Sequence, residues 1–379
     1  MHSLFIKSIK LYFIAYLEAF KIRKREVTKF NLSRLIFLTL LFPAFIFLQI
    51  LHSLCYFIDD ILFKSYKTYD CSNILFIIGI PRSGTTYIHR TLSKAQGTTT
   101  FSTAESIFAP TITEKKCLEL FSKFDNLLGN PIFKIINFII NQFGNNFHNI
   151  HSVNIDAPEE DYLSLLPIGY CFILLFAFPK SKSLRRLIDF KHIPKEERNA
   201  VLKFYKRNIQ RHLYQKDNNL LFISKNASFC TWLDDLEKLF PKAKFILSTR
   251  EPTTAIASQI NALEPARLVF GSDPKGIITE SIVLQAYAQY YSEMLCFYKK
   301  VNPNKRALIE QECLRKDPIL ILENTIKSLK IPIDIKRINF SKNKELNTTI
   351  RLERFPEIKI YNAILEDYHS LIKLALRKK

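Results

Sequence analysis

The sequence predicts an α/β protein: a parallel sheet flanked by helices, with a helical insertion and an apolar N-terminal helical segment. From Asn73 onward, short β-branched runs alternate with longer helical patterns, which is typical of strands joined by crossover helices. An uncharged apolar run precedes this alternation. The chain has 379 residues and 47% hydrophobic content, enough to fill a sizeable core. We therefore predict a membrane-associating helical segment at residues 1–63 and one large α/β domain at residues 64–379.

The first helix is predicted from the spacing of charge between Leu4 and Arg25. Charged residues recur there at multiples of three or four positions, which leaves Leu, Phe, Ile and Tyr on the opposite side. These charges are Lys7, Lys10, Glu18 and Lys21. The pattern indicates an amphipathic helix, and the basic patch Arg23-Lys24-Arg25 follows it.

The next segment, Leu35 to Ile58, has 24 residues and no charged side chain, enough to cross a hydrocarbon core. Pro43, Gln49 and His52 interrupt its apolar character. Three interpretations stay open: a spanning anchor, an in-plane amphipathic pair in the headgroup layer, or helices packed on the domain. Basic residues before this segment favour a cytoplasmic N-terminus. A spanning helix would then place the domain in a lumen, whereas an in-plane pair would leave it in the cytoplasm.

The strands of the sheet are predicted from five short apolar or β-branched runs. They are Ile74 to Gly79, Thr98 to Ser102, Leu220 to Ser224, Lys244 to Thr249 and Arg306 to Glu310. A helical insertion at about residues 106–216 separates the second strand from the third. An insertion in this place commonly shapes an acceptor cleft or a lid, although ordinary packing helices are an equal alternative.

Charge and cysteine content narrow the class of partner. The net charge of +20 and the pI of about 9.5 indicate an anionic partner, such as phospholipid headgroups, a polyanionic small molecule or nucleic acid. Nucleic acid is disfavoured because the chain has no Arg/Gly-rich run and no nucleic-acid motif. The seven cysteines have no CxxC or Cys/His spacing, so a structural zinc site or a disulfide framework is unsupported.

A phosphate-binding loop is predicted directly after the first strand. Gly79 to Thr86 matches G-x-x-x-x-G-[K]-[ST] except that Thr85 stands in the place of the lysine. Such a loop points backbone N–H groups at a phosphate, and the following helix dipole adds to the attraction. Arg82 moves the cation to another side of the loop. The ligand should therefore combine a phosphate with a transferable anionic group, without being a magnesium triphosphate.

Three motifs resemble the sulfotransferases that use 3′-phosphoadenosine 5′-phosphosulfate (PAPS). Pro81 to Thr86 looks like their 5′-phosphosulfate loop, and Arg250 with Ser258 eight residues later is similar to their 3′-phosphate site. The run LLFISKNASF resembles the strand-plus-lysine segment of the tyrosylprotein and bacterial branches, with Ala227 in place of a proline. The resemblance covers about residues 73–330. It implies a P-loop-like fold and transfer of a sulfuryl group from PAPS, leaving adenosine 3′,5′-bisphosphate.

The donor-binding residues follow from this resemblance and from the position of each motif. A strand that ends in Arg250 presents the guanidinium at the carboxyl edge of the sheet, where ligands bind in open α/β folds. Ser258 lies two helical turns further and can share one phosphate with it. The predicted donor-binding set is Arg82, Ser83, Gly84, Thr85, Thr86, Arg250 and Ser258.

Sulfuryl transfer needs a base for the acceptor and a cation at the bridging oxygen. Glu105 follows the second strand and resembles the glutamate of the tyrosylprotein branch, so we predict it as the base. His151 is the competing base, since histidine accepts a proton near neutral pH without much tuning. By resemblance, Lys225 would bind the bridging oxygen. The acidic run Asp156 to Asp161 is interpreted as a helix start, because Pro158 suits that position.

The sequence-based hypothesis is a membrane-associated, PAPS-dependent sulfotransferase with no metal requirement and a hydroxyl or amine acceptor. A nucleotide kinase or triphosphatase is the rival on the same fold, although the loop lysine and a magnesium-binding Asp are not evident. A non-catalytic membrane scaffold with a degenerate loop is the rival of another class. Among acceptors a lipid is favoured, because the apolar N-terminus would hold the cleft near a bilayer. Glycan, protein tyrosine and small alcohols also stay open.

Overall fold

A computed structural model describes residues 2–20, 32–127, 129, 158–216, 219–273, 275–334 and 358–376. The competing base His151 lies outside these residues. So do the basic patch at 23–25, the apolar part of the insertion from Pro131 to Phe147, and Asp156 of the acidic run. In the described residues the insertion is helical on both sides of this gap, as the sequence predicts.

The sheet has five parallel strands in the order β2-β3-β1-β4-β5. They are β1 (Ile74–Gly79), β2 (Thr98–Thr99), β3 (Leu221–Lys225), β4 (Lys244–Thr249) and β5 (Arg306–Glu310). Three of them have the predicted bounds, and β3 is shifted by one residue so that Lys225 is its last member. β2 is three residues shorter than predicted, because the chain leaves the sheet and Ser102 instead pairs with Pro158 in an isolated antiparallel bridge.

The helices surround this sheet. They are α1 (His2–Ala19), α2 (Leu32–Leu62), α3 (Thr85–Leu92), α4 (Thr103–Phe108), α5 (Ile112–Leu127), α6 (Leu174–Ala177), α7 (Lys195–Tyr214), α8 (Leu233–Leu239), α9 (Pro252–Ala262), α10 (Glu264–Phe270), α11 (Ile277–Lys300), α12 (Gln311–Lys316), α13 (Pro318–Leu329) and α14 (Ile358–Leu376). Short 3₁₀ turns, among them Asp161–Ile168, connect them.

The central strand β1 is buried along its whole length and feeds two apolar cores. Successive side chains of a strand point to opposite faces, so Phe76 and Ile78 join the larger core while Leu75 and Ile77 join the smaller one. Helices therefore cover both faces, as expected for a parallel sheet. Because all strands run in one direction, the loops after β1, β3 and β4 meet at one edge.

The N-terminal helices pack into the larger core. The Phe5 ring lies 5.8 Å from that of Phe204 on α7, and Tyr16 of α1 stacks on Phe42 of α2 at 5.1 Å. α2 contains a π-helical turn at Phe37–Leu41. By length and composition it could cross a membrane, since it has 31 residues and includes an 18-residue stretch with a mean hydropathy of 2.2. The division at residue 63 stays a prediction. The contact between Phe5 and Phe204 crosses it, so we expect the domain without α1 and α2 to expose apolar core surface.

Candidate active site

Two glycines shape the loop between β1 and α3. A Cβ atom on Gly79 would lie 2.2 Å from the carbonyl oxygen of Ser248 on β4, so only glycine fits there. Gly84 precedes α3 with a φ of +91°, a left-handed conformation that favours glycine. The loop is thus held against β4, and α3 begins at Thr85 with its first N–H groups directed to the sheet edge.

Paired backbone and hydroxyl contacts fix this loop. The Ser248 hydroxyl donates to the carbonyl oxygen of Ser83 at 2.7 Å, and the Ser83 hydroxyl donates to that of Ser248 at 3.2 Å. Arg82, beside them, has a φ of +69° and an exposed side chain. A buried loop backbone with an exposed arginine is an arrangement that binds a phosphate from two sides.

The second predicted motif contacts this loop directly. Arg250 Nη1 donates to the carbonyl oxygen of Arg82 at 3.1 Å, and Arg82 Nε donates to the hydroxyl of Ser258 at 3.1 Å. Burial lowers the pKa of Arg250, and the positive charge of the neighbouring Arg82 lowers it further. Two arginine side chains thus concentrate positive charge at this corner of the molecule. The structure therefore brings together three residues that lie up to 176 positions apart in the chain.

Two tyrosines of α11 support the same corner, and neither was predicted from the sequence. Tyr287 donates to the carbonyl oxygen of Pro81 at 3.0 Å, and Tyr291 donates to that of Arg250 at 2.5 Å. Both side chains are buried. Their positions in a long helix carry no local motif, so nothing in the sequence marked them as part of the site.

Lys225 ends β3 at the same edge, opposite Ile77 of β1. Its ammonium group forms an ion pair with the carboxylate of Glu160, and its backbone N–H donates to Asp161 Oδ1 at 3.3 Å. Tyr205 donates to the other oxygen of Asp161. Burial raises the pKa of Asp161 to about 7 despite these hydrogen bonds.

The contacts of Lys225 give the acidic run a second role besides the helix start that the sequence predicts. A 3₁₀ helix does begin at Asp161, but Glu160 and Asp161 also hold the side chain and backbone of Lys225. The isolated bridge from Pro158 to Ser102 carries the run across to the sheet edge. Sequence reasoning missed this role because 65 positions separate Glu160 from Lys225.

Glu105 lies in the first turn of α4, where its N–H donates to the Ser102 hydroxyl at 3.2 Å. Its carboxylate faces His212 Nδ1 at 2.7 and 2.9 Å and forms an ion pair with Lys115. Burial alone would raise the pKa of Glu105, but the contacts with His212 and Lys115 outweigh it and lower that pKa to about 2. Glu105 is therefore ionised at neutral pH.

His212 is a further residue that the sequence did not predict. Burial lowers its pKa, although the charge of Glu105 opposes that effect. Its Nε2 faces the Thr99 hydroxyl at 2.7 Å, so both ring nitrogens are engaged. The neutral ring donates from Nδ1 to Glu105 and accepts from Thr99 at Nε2. Its position orients the Glu105 carboxylate.

Hydrogen bonds join the segment of Glu105 to the acidic run that carries Glu160, and the N–H of Glu159 donates to the carbonyl oxygen of Phe101 at 3.0 Å. Thr103 of α4 donates to Glu159 Oε2 at 3.1 Å, and Glu159 precedes the residue that pairs with Lys225. α4 therefore connects Glu105 to the segment that carries Glu160. Together with the loop and Arg250, these groups bring arginine and lysine side chains and carboxylates to one edge of the sheet.

Comparison with known proteins identifies the family. The family model described as "Sulfotransferase family" matches residues 75–334, more than half of the chain. The chain therefore belongs to the sulfotransferase family, and it is an enzyme that transfers a sulfuryl group. No curated protein matches the sequence.

Solved structures agree in fold. The sulfotransferase STF1 from Mycobacterium tuberculosis H37Rv superimposes with a TM-score of 0.65 at 13% identity, covering 98% of this chain and 91% of that one. The sulfotransferase STF9 from Mycobacterium avium gives a TM-score of 0.56 at 14% identity, covering 85% and 83%. At such low identity the likeness concerns the fold, and residue roles rest on the geometry described above.

Proposed function

We propose that the protein transfers the sulfuryl group of PAPS, in line, to a hydroxyl or amine acceptor. The observation that supports this most is the contact of Arg82 with both Ser258 and Arg250, because it joins two separate anion-binding motifs at one sheet edge. PAPS carries a 5′-phosphosulfate and a 3′-phosphate on one ribose, and this corner offers residues for both. A kinase or triphosphatase has no use for the second of these motifs, the 3′-phosphate site.

In this proposal the loop and Arg82 hold the 5′-phosphosulfate, while Arg250 and Ser258 hold the 3′-phosphate. The loop would contribute backbone N–H groups from Ser83 to Thr86 as donors to the anion. The Ser83 N–H donates to the carbonyl oxygen of Ile80 at 3.1 Å and would exchange that contact for the anion. The Ser258 hydroxyl would exchange its contact with Arg82 for one with phosphate. Charge-assisted hydrogen bonds of this kind are the strong ones in proteins.

Lys225 would stabilise the leaving group. The bond between sulfur and the bridging oxygen breaks, a new bond forms between sulfur and the acceptor atom, and adenosine 3′,5′-bisphosphate leaves with the bridging oxygen. Negative charge develops on that oxygen, and a buried ammonium group is well suited to neutralise it. Lys225 would then exchange its ion pair with Glu160 for the donor.

A carboxylate would accept the proton of the acceptor, and we propose Glu105 for this role. Its ionised state supports the assignment, whereas the pKa of about 2 makes it a weak acceptor while His212 and Lys115 both stay in contact with it. Movement of Lys115 toward the substrate would raise that pKa. Glu160 is a second candidate, favoured by its contact with Lys225, and His151 remains a third.

We propose a lipid acceptor, and the neighbours of Glu105 support it. α4 ends at Phe108, which is exposed, and the carbonyl oxygen of Ile107 lies 3.1 Å from His52 Nε2 on the apolar helix α2. The proposed base is therefore one helix away from the most apolar segment of the described chain. A lipid-borne hydroxyl could approach along that helix.

Calorimetry with adenosine 3′,5′-bisphosphate tests the donor. We expect tight binding of the bisphosphate, weak binding of adenosine 5′-phosphosulfate and negligible magnesium-dependent binding of ATP. Tight binding of magnesium ATP by the unmodified protein would contradict the proposal. Incubation of extracts with sulfur-labelled PAPS, followed by separation into lipid and water-soluble fractions, would then identify the acceptor. Label confined to the water-soluble fraction would exclude a lipid.

A further inference from the structure

The outward side of α1 and α2 is an unusually apolar surface, here called the N-terminal face. On α2 the exposed positions recur at three- and four-residue spacing, which makes one continuous stripe. Phe47 is 70% exposed and Leu54 57%. The face comprises Ile6, Phe13 and Leu17 of α1, Phe20 directly after it, and Phe47, Leu51, Leu54 and Ile61 of α2.

The two helices lie side by side. The rings of Tyr12 on α1 and Phe45 on α2 are 5.2 Å apart and meet edge to face, and Tyr16 stacks on Phe42. The exposed stripes thus belong to adjacent helices. A contiguous apolar surface on two adjacent helices is typical of an interaction site.

Both ends of α2 are attached to the same globular body. Near its start, Arg34 is buried and its Nη1 donates to the carbonyl oxygens of Ala177 at 2.7 Å and Phe270 at 3.2 Å. Near its end, Asp59 is fully buried and accepts from Arg211 Nε at 2.9 Å. A spanning helix would place these two ends on opposite sides of a bilayer, which one domain cannot reach at once.

Further polar contacts hold the middle and the end of α2. His52 Nδ1 lies 2.5 Å from Glu114 Oε1, and Asp59 also accepts from the backbone N–H groups of Ile112 and Thr113 at 2.9 and 2.8 Å. Detaching α2 to cross a bilayer would leave Arg211 and Glu114 buried without these partners. Breaking buried charge pairs in this way is strongly destabilising.

The charges beside the face favour a lipid surface over a second copy of the chain. Lys10 of α1 is exposed, and so is Lys7, whose ammonium group also lies 3.8 Å from the Glu197 carboxylate. Two copies meeting through this face would bring like charges together, whereas anionic headgroups would neutralise them. The net charge of +20 also favours an anionic lipid surface over a second copy of the chain.

We propose that the N-terminal face is a monotopic membrane-binding surface: α1 and α2 lie in the plane of an anionic phospholipid layer, and α2 does not span it. The apolar stripe enters the boundary between headgroups and acyl chains, and the basic residues contact the headgroups. The domain therefore remains on the side of the membrane where α1 and α2 lie.

Sedimentation of the full chain with vesicles tests the surface. We expect binding to phosphatidylcholine vesicles that contain phosphatidylglycerol, and weaker binding to phosphatidylcholine alone. The combined substitution Phe47→Ser, Leu51→Ser and Leu54→Ser should weaken binding at least about tenfold, because each removes apolar area from the lipid contact. These side chains are exposed, so thermal unfolding should change little. Unchanged vesicle binding by this variant would overturn the proposal.

A matched control uses exposed apolar residues elsewhere. Ile319 and Leu320 on α13, which follows the edge strand β5, are 44% and 51% exposed. Their replacement by Ser should leave vesicle binding unchanged, and an equal loss would indicate nonspecific adsorption. If the unmodified protein ignores vesicles but forms a dimer that the triple variant dissolves, the occupant is a second copy and the lipid proposal fails.

Depth measurement separates an in-plane helix from a spanning one. Phe47→Trp and Ile61→Trp place a fluorophore at the middle and near the end of α2, while the native Trp232 is buried and serves as the unquenched baseline. Lipids brominated near the headgroup should quench both variants similarly. Quenching of position 47 mainly by lipids brominated near the chain ends would show a spanning helix. Neither experiment depends on sulfuryl transfer, so its outcome is independent of the proposed function.

Discussion

The two halves of the candidate site differ in how their cations are paired. On the donor side, Arg82 and Arg250 contact hydroxyl and carbonyl oxygens. On the side of β2 and β3, Lys115 and Lys225 contact the carboxylates of Glu105 and Glu160. The arginines of the donor side thus keep their positive charge for a bound anion. On the other side, here called the balanced side, carboxylates neutralise the lysines.

This difference indicates different roles during turnover. An anion can bind the donor side without breaking an ion pair between side chains. In the proposed reaction, Lys225 would exchange its partner Glu160 for the donor, and Glu105 would take up the proton of the acceptor. Substitutions on the donor side should therefore affect affinity, and those on the balanced side should affect turnover.

The largest effect is expected for Lys225→Ala. Removing the cation that would neutralise the bridging oxygen should lower kcat by about 10³ and leave bisphosphate affinity nearly unchanged. Transfer of labelled sulfate from PAPS measures kcat, and calorimetry measures affinity. Lys225→Arg, which keeps the charge, should retain more activity than the alanine variant. A fall in affinity that matches the fall in kcat would mean that Lys225 belongs to the donor side.

Glu105→Gln should lower kcat by about 10² or more, because the amide keeps the shape but cannot accept a proton. Bisphosphate affinity should change little. Glu160→Gln is the paired control on the same side of the site. If Glu160→Gln abolishes turnover and Glu105→Gln does not, Glu160 is the base. If only His151→Ala does so, the histidine is the base.

Arg250→Ala should weaken bisphosphate binding by roughly 10- to 100-fold, the cost of one charge-assisted phosphate contact. Ligands without a 3′-phosphate should bind as before. Lys244→Ala is a matched control, because Lys244 begins β4 at the opposite edge of the sheet and donates to the carbonyl oxygen of Asn304 at 2.9 Å. Equal losses for ligands with and without the 3′-phosphate would identify Arg250 as a structural residue.

The smallest effect concerns the pH dependence of stability. Burial raises the pKa of Asp161 from 3.8 to about 7, so between these values the folded state binds a proton that the unfolded state has released. Stability should therefore fall as pH rises from about 4 to 7, by at most about 1.4 kcal/mol per pH unit. Asp161→Asn should flatten this slope in urea unfolding. An unchanged slope would contradict the assignment.

Glu105 should act in the opposite direction. Its pKa of about 2 lies below the ordinary 4.5, so its stabilising contribution is present above pH 4.5 and is lost as pH falls toward 2. Glu105→Gln should remove this acid-sensitive part while the slope between pH 4 and 7 remains. The two variants together separate the contributions of the two carboxylates.

The sequence by itself determined the strands, the phosphate loop and the order of the donor motifs. These features depend on local requirements: β-branched runs for β1 and β4, glycine where Gly79 meets Ser248, and a left-handed turn at Gly84. Such requirements restrict residue type at fixed spacing, and a sequence records them directly. Arg250 and Ser258 could be recognised for the same reason, since one helix fixes their separation.

Only the tertiary structure decided the partners of those residues. His212 meets Glu105 across 107 positions, and Arg211 meets Asp59 across 152. Each of these residues lies in a helix whose local pattern requires only a helix former, so nothing nearby in the sequence marks the contact. Apolar length alone also left α2 able to span a bilayer. Its attachment at both ends depends on hydrogen bonds that form only when distant segments fold together.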